Sequence, residues 1–128
     1  MSSLPQGSQF ISLEKAVAMT KRYRTEKVNV VKPEYQNVLL ICETFNRQPF
    51  EVLLAEKNCV GIRIYFGMDE KLTVKVIAVG VDESDADILP SGSQEKPDGP
   101  TDRGEIVEEG VGCPPTCPPP SPLNEDEG

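Results

Sequence analysis

The side chains with chemistry to offer are four cysteines, Cys42, Cys59, Cys113 and Cys117, and a run of carboxylates from Asp82 to Asp87; the chain has no histidine. Without an imidazole, the Ser-His-Asp and Cys-His nucleophile devices are excluded, as is every zinc site that includes a histidine. Four thiolates remain a formal zinc set, with Cys42 and Cys59 joined to the C-x3-C pair Cys113 and Cys117. Zinc-bound thiolates are normally steadied by backbone N–H groups, and Pro114, Pro115, Pro118, Pro119 and Pro120 have none to give. The expectation is a protein without a cofactor, with four-thiolate zinc as the alternative. Redox catalysis is not expected either. In polyproline II geometry Cys113 and Cys117 stand about 12 Å apart, beyond disulfide reach, and no histidine or predicted helix N-terminus lies beside them to favour thiolate.

The carboxylate run, Asp82-Glu-Ser-Asp-Ala-Asp87, fails the calcium-loop pattern, in which position 6 is glycine and here is Asp87. It reads as a solvated loop leaving a strand. General acid–base use of paired carboxylates needs a cleft that shifts one of them, and none is predicted. The chain is therefore expected not to be an enzyme.

These groups must be positioned by a chain of 128 residues that divides in two by composition. Residues 1–90 hold 12 acids and 11 bases and residues 91–128 hold 9 acids and 2 bases, so the net charge of -8 belongs to the C-terminal part. That charge argues against a general nucleic-acid role, which needs a basic surface, and leaves room only for a local basic face. Of the first 90 residues 42 are apolar, against 6 of the last 38, so only the first part can build a core. Eight of the twelve prolines lie in the last 38 residues, a composition that does not repay the entropy of ordering. The expected organisation is a flexible N-terminus (1–9), an α+β domain (10–90) and an acidic Pro/Gly-rich tail (91–128) carrying the Cys-Pro motif. No apolar stretch approaches the roughly 18 residues of a membrane span, and no secretory n-region opens the chain. A cytoplasmic protein with reduced thiols and no membrane partner is expected.

Within the body, Ser12 is placed to cap a helix to about Lys27, with Leu13, Ala16, Val17, Thr20 and Tyr23 along one core-facing stripe. In Lys21-Arg22-Tyr23-Arg24 the tyrosine turns inward and the charges form a solvated face. Val38-Leu-Leu-Ile-Cys42 reads as a buried strand. Asn46 caps a second helix ending near Asn58, with Phe45 and Phe50 as a hydrophobic staple and Phe50, Leu53 and Leu54 facing the core. Val60–Gly67 and Leu72–Val81 alternate as a β-hairpin, with Val60, Ile62, Ile64 and Phe66 on one face and Arg63 and Tyr65 on the other. The end of the second strand, Ile77–Val81, is apolar on both faces and needs a cover, for which the tail is a candidate; Ile106-Val107 suits a short edge strand. The fold class is α+β: a small antiparallel sheet built on the hairpin, two helices on one face, and a disordered or extended tail.

In the tail, Cys113, Pro114, Pro115, Cys117, Pro118, Pro119, Pro120, Pro122 and Leu123 form a candidate interaction segment, since prolines preset an extended shape that costs less entropy to dock. Leu123 is its one large aliphatic and the expected anchor. The segments Asn58-Cys-Val-Gly-Ile-Arg-Ile-Tyr-Phe-Gly67, Val79-Gly-Val-Asp82 and Asp87-Ile-Leu89, with the terminal Cys-Pro-Pro-Thr-Cys-Pro-Pro-Pro-Ser-Pro-Leu-Asn124, resemble a group of small uncharacterised bacterial proteins over most of residues 10–124. The resemblance implies a bacterial cytoplasmic protein and brings no activity, cofactor or partner. The functional expectation is a non-catalytic binding or assembly module whose tail docks on its own domain, a second copy or another protein.

Overall fold

In the computed structural model residues 4, 9–90 and 104–125 are described, and the expectations for residues 1–3, 5–8, 91–103 and 126–128 lie outside them. The fold is α+β with antiparallel sheets. Its elements are α1 (Leu13–Val30), β1 (Cys42–Thr44), α2 (Arg47–Ala55), β2 (Gly61–Met68), β3 (Val74–Val81), β4 (Asp87–Ile88) and β5 (Val111–Cys113). The strands form two sheets, β1-β5 and β2-β3-β4. By its contacts the chain falls into two units: Met1–Gln6, Phe45–Gly67 and Lys75–Gly110 make the first, and Gly7–Thr44, Met68–Val74 and Val111–Gly128 the second. The composition break at residue 90 is thus not a boundary of either unit.

In the first unit the Asn46 side chain accepts from the Gln48 N–H at 2.9 Å, and the Phe45 and Phe50 rings meet edge to face at 5.5 Å between centroids. The staple fixes the approach of α2. Leu53, fully buried, then packs with Ala78 of β3 and with Val107, and Phe45, Phe50 and Ile62 close around them. Several expected core residues are misplaced, Val60 and Ile64 being 41% and 44% exposed. Leu54 is 58% exposed, because the next helical position lies about 100° round from the side that meets β3; Phe66 is 76% exposed, because the core cover on edge strand β2 reaches only to Ile62. Helix α2 also ends before Asn58: Glu56 is already extended (ψ 145°) and Asn58 is left-handed (φ 68°).

The cover for the end of β3 is the returning chain. Ala78 and Val107 exchange both backbone hydrogen bonds at 2.9 Å, and β4 pairs with β3 beside them, Gly80 opposite Ile88 and Val81 opposite Asp87. Residues Ala78–Val81 are all buried as a result. The expected edge strand at Ile106-Val107 is therefore a single bridge. Gly104 enters this path where a Cβ would overlap the Ile88 carbonyl, and Gly110 leaves it where a Cβ would come 2.6 Å from the Phe45 ring.

In the second unit the Ser12 hydroxyl accepts from the Lys15 N–H at 3.0 Å and caps α1. The helix runs past Lys27 to Val30, and none of its residues is buried; Leu13, on the expected core stripe, is 64% exposed. Polar reach holds it instead. The Tyr23 hydroxyl donates to the Leu40 carbonyl, Lys27 Nζ donates to Leu39 O at 2.8 Å, and Arg24 donates to Leu123 O at 2.8 Å. Burial pushes the Tyr23 hydroxyl pKa up. The apolar run Val38–Cys42 is a strand only from Cys42 onward, since Val38 and Ile41 spend backbone groups outside any ladder: Val38 O accepts from Val74 N at 2.7 Å and Ile41 N donates to Cys113 O at 2.7 Å.

Candidate functional site

The Cys-Pro segment is not extended. Strand β5 pairs with β1 in the register Cys42 to Cys113, Glu43 to Gly112 and Thr44 to Val111, which buries Cys113 to 2% exposure. Beyond it the chain turns, closed by a hydrogen bond from Thr116 N to Gly112 O at 3.0 Å, with cis peptides at Cys113-Pro114 and Pro114-Pro115. The turn brings Cys113 and Cys117 to 4.6 Å between Cα atoms, and they are joined by a disulfide. The 12 Å separation expected from polyproline II geometry is thereby corrected: that spacing holds only for a continuous polyproline II run, and the bond from Thr116 N to Gly112 O closes the segment into a turn. The free thiols are Cys42 and Cys59, so the four-thiolate set is not assembled in this oxidised state.

The far end of the segment is also fixed. Ser121 O accepts from Asn124 N and Glu125 N at 3.1 and 3.0 Å, Asn124 Nδ2 donates to Pro119 O at 3.1 Å, and Arg24 holds Leu123 O. Between these anchors Pro114, Pro115, Cys117, Pro118, Pro119, Pro120 and Pro122 are all exposed. Leu123 is 41% exposed, half-seated rather than a free apolar tip. The structure thus gathers the whole interaction segment into one loop with its prolines outward.

Two features of the first unit were not legible as sites. The carboxylate run is organised by β2: Arg63 reaches Asp85 at 2.7 Å and Asp87 at 2.6 Å, and the Tyr65 hydroxyl donates to Asp87. The tyrosine bond, then the guanidinium, hold the Asp87 carboxyl below its usual range, and the same bond raises the Tyr65 hydroxyl. Inside the loop, Asp82 Oδ1 accepts from Ser84 N and Ala86 N at 2.9 and 3.0 Å. These carboxylates are committed to shaping the loop, and the signal for it was the shared face of Arg63 and Tyr65. The second feature is an open groove of about 540 Å³ lined by Gln48, Pro49, Val52 and residues 105–109. Near it Glu56 Oε2 accepts from Glu105 N at 2.7 Å, while its buried Oε1 has no hydrogen-bond partner among the described residues; burial raises this carboxyl's pKa. Among the described residues no three acidic, cysteine or histidine side chains converge as metal ligands, and no helix is long and apolar enough to cross a membrane.

Comparison with protein families, with curated proteins and with solved structures gives no match for this chain.

Proposed function

We propose that this chain is a non-catalytic binding or assembly module that presents the loop from Cys113 to Leu123 to a protein partner. The observation that supports it is a proline-rich loop exposed from Pro114 to Leu123 yet tied at one end by β5, the buried Cys113 and the disulfide and at the other by the Ser121–Glu125 turn. Such a loop loses little conformational entropy on docking, because the ordering has been done in the fold. Prolines and a half-exposed leucine offer an apolar, N–H-poor surface, suited to a groove lined with aromatic side chains. The chain's own anchors occupy the ends of the segment, so its outward side is left for a second copy or another protein. A cytoplasmic setting stays part of this reading, with the disulfide as a redox-responsive element rather than a permanent staple.

The test is a photo-crosslinking side chain placed at Pro119 of the full chain in cells. Discrete adducts are expected, the mass separating a second copy from another protein. They should be lost when Pro118 and Pro120 become alanine and reduced in the Cys113→Ser, Cys117→Ser double variant. Adducts no stronger than those from the same probe at exposed Arg47 would overturn the reading.

A further inference from the structure

We propose that Cys42, Cys113 and Cys117 form a three-sulfur exchange site, in which the Cys42 thiolate attacks Cys113 and releases Cys117 as an accessible, modifiable thiol. The register places Cys42 directly opposite Cys113 in the β1-β5 pair. Residues directly opposite in an antiparallel pair stand about 4.5–5.5 Å apart between Cα atoms, and here the Cys113 carbonyl accepts from the neighbouring Ile41 N–H at 2.7 Å. Such residues also project to the same face, and Cα separations of about 4.5–5.5 Å lie within the range that disulfides span. Cys113 is therefore joined to Cys117 and stands across the ladder from Cys42, a free thiol on the same face.

The step conserves atoms and electrons. The Cys42 sulfur gives up its proton and attacks Cys113 Sγ; the Cys42–Cys113 bond forms as the Cys113–Cys117 bond breaks; Cys117 leaves as thiolate and takes up a proton. No oxidant or reductant is consumed. Accessibility gives the exchange its consequence. Cys113 is 2% exposed, out of reach of external thiols, whereas Cys117 lies on the surface. One isomer has a closed Cys-Pro loop and no thiol at its tip; the other has an open loop bearing a surface thiol. The proposal stands apart from what the loop binds.

Trypsin cuts nowhere between Cys113 and Cys117, because no lysine or arginine follows Arg103. The isomers are thus distinguishable as a C-terminal peptide looped on itself or joined to the peptide carrying Cys42. The full chain is incubated at mildly alkaline pH, quenched with acid, alkylated with N-ethylmaleimide, digested and mapped by mass spectrometry. Wild type should show both the looped peptide and the Cys42-joined peptide with alkylated Cys117, and Cys42→Ser should lose the joined species and its Cys117 label. In Cys117→Ser, a small-molecule disulfide should oxidise Cys42 and Cys113 into one bond and be reduced to two thiols, leaving Cys59 alkylated as the internal control. A wild-type map with the looped peptide alone, or a Cys117→Ser chain that forms no Cys42–Cys113 bond, would overturn the proposal.

Discussion

At the scale of single residues, two carboxyls pull the pH response in opposite directions. Asp87 accepts from Tyr65 and Arg63, and its pKa is lowered in the fold. Its stabilising contribution is complete above the unfolded value, about 3.9 for aspartate, and is lost as pH falls through the lower folded value. Asp87→Asn should therefore cost stability at neutral pH and cost progressively less in acid below about pH 4, read as urea midpoints across pH; a cost independent of pH would count against the cluster. Glu56 has the opposite sign, since burial raises its pKa. The unfolded chain releases that proton first, so stability falls as pH rises from the ordinary carboxylate range through the folded value. Glu56→Gln keeps an acceptor for Glu105 N and removes the charge, so its melting temperature relative to wild type should improve between pH 4 and pH 7. An unchanged difference would show that the buried oxygen finds water.

At the scale of elements, the packing of α2 makes a sharp contrast between adjacent leucines. Leu53→Ala should cost about 2–5 kcal/mol, the usual range for a closed core site, and Leu54→Ala less than about 0.5 kcal/mol, as at a surface position, both by denaturant unfolding. Equal costs would mean that the Ala78–Val107 cover is not the core. The elements legible in the sequence were those set by local chemistry: the Ser12 and Asn46 caps, the Phe45–Phe50 staple, and the alternation of β2 and β3. What was not legible depended on partners distant in the chain. Helix α1 carries an apolar stripe, yet it is tied by Tyr23, Arg24 and Lys27 to carbonyls of Leu40, Leu123 and Leu39, and no periodicity reports a hydrogen bond of that kind. The Cys-Pro loop failed for a related reason. Proline composition fixes φ but not the turn that Thr116 and Gly112 close, so the arrangement of the candidate segment was not legible in its sequence.

At the scale of the whole molecule, apolar surface is spent unusually. Among the described residues 20 large hydrophobics are exposed and seven hydrophobics are buried, and on edge strand β2 Ile64 and Phe66 share an exposed face at 44% and 76%. Exposed apolar edge strands invite pairing between chains, which makes β2 a candidate surface for the assembly proposed above. Phe66→Lys should lower self-association in sedimentation at rising protein concentration and leave the unfolding midpoint within about 0.5 kcal/mol; unchanged association would remove β2 from consideration. Truncation after Pro90 discards Val107, 7% exposed, and β5, so such a fragment should lose the slow hydrogen exchange of the Ala78 amide, whose acceptor is Val107 O. Retained protection there would show that the first unit closes without the returning chain. Synthesis from the N-terminus gives this architecture a schedule. Strand β1 is made early and its partner β5 comes near the end of the chain, while Val107 reaches Ala78 only after all of α2 and the hairpin have emerged. A growing chain on the ribosome therefore holds the buried end of β3 without Val107 for a shorter interval, and the apolar stretch from Val38 to Cys42 without β5 for a longer one, until residues 111–113 are made. Cys42 spends that interval as a thiol whose sulfur partners have not yet been made.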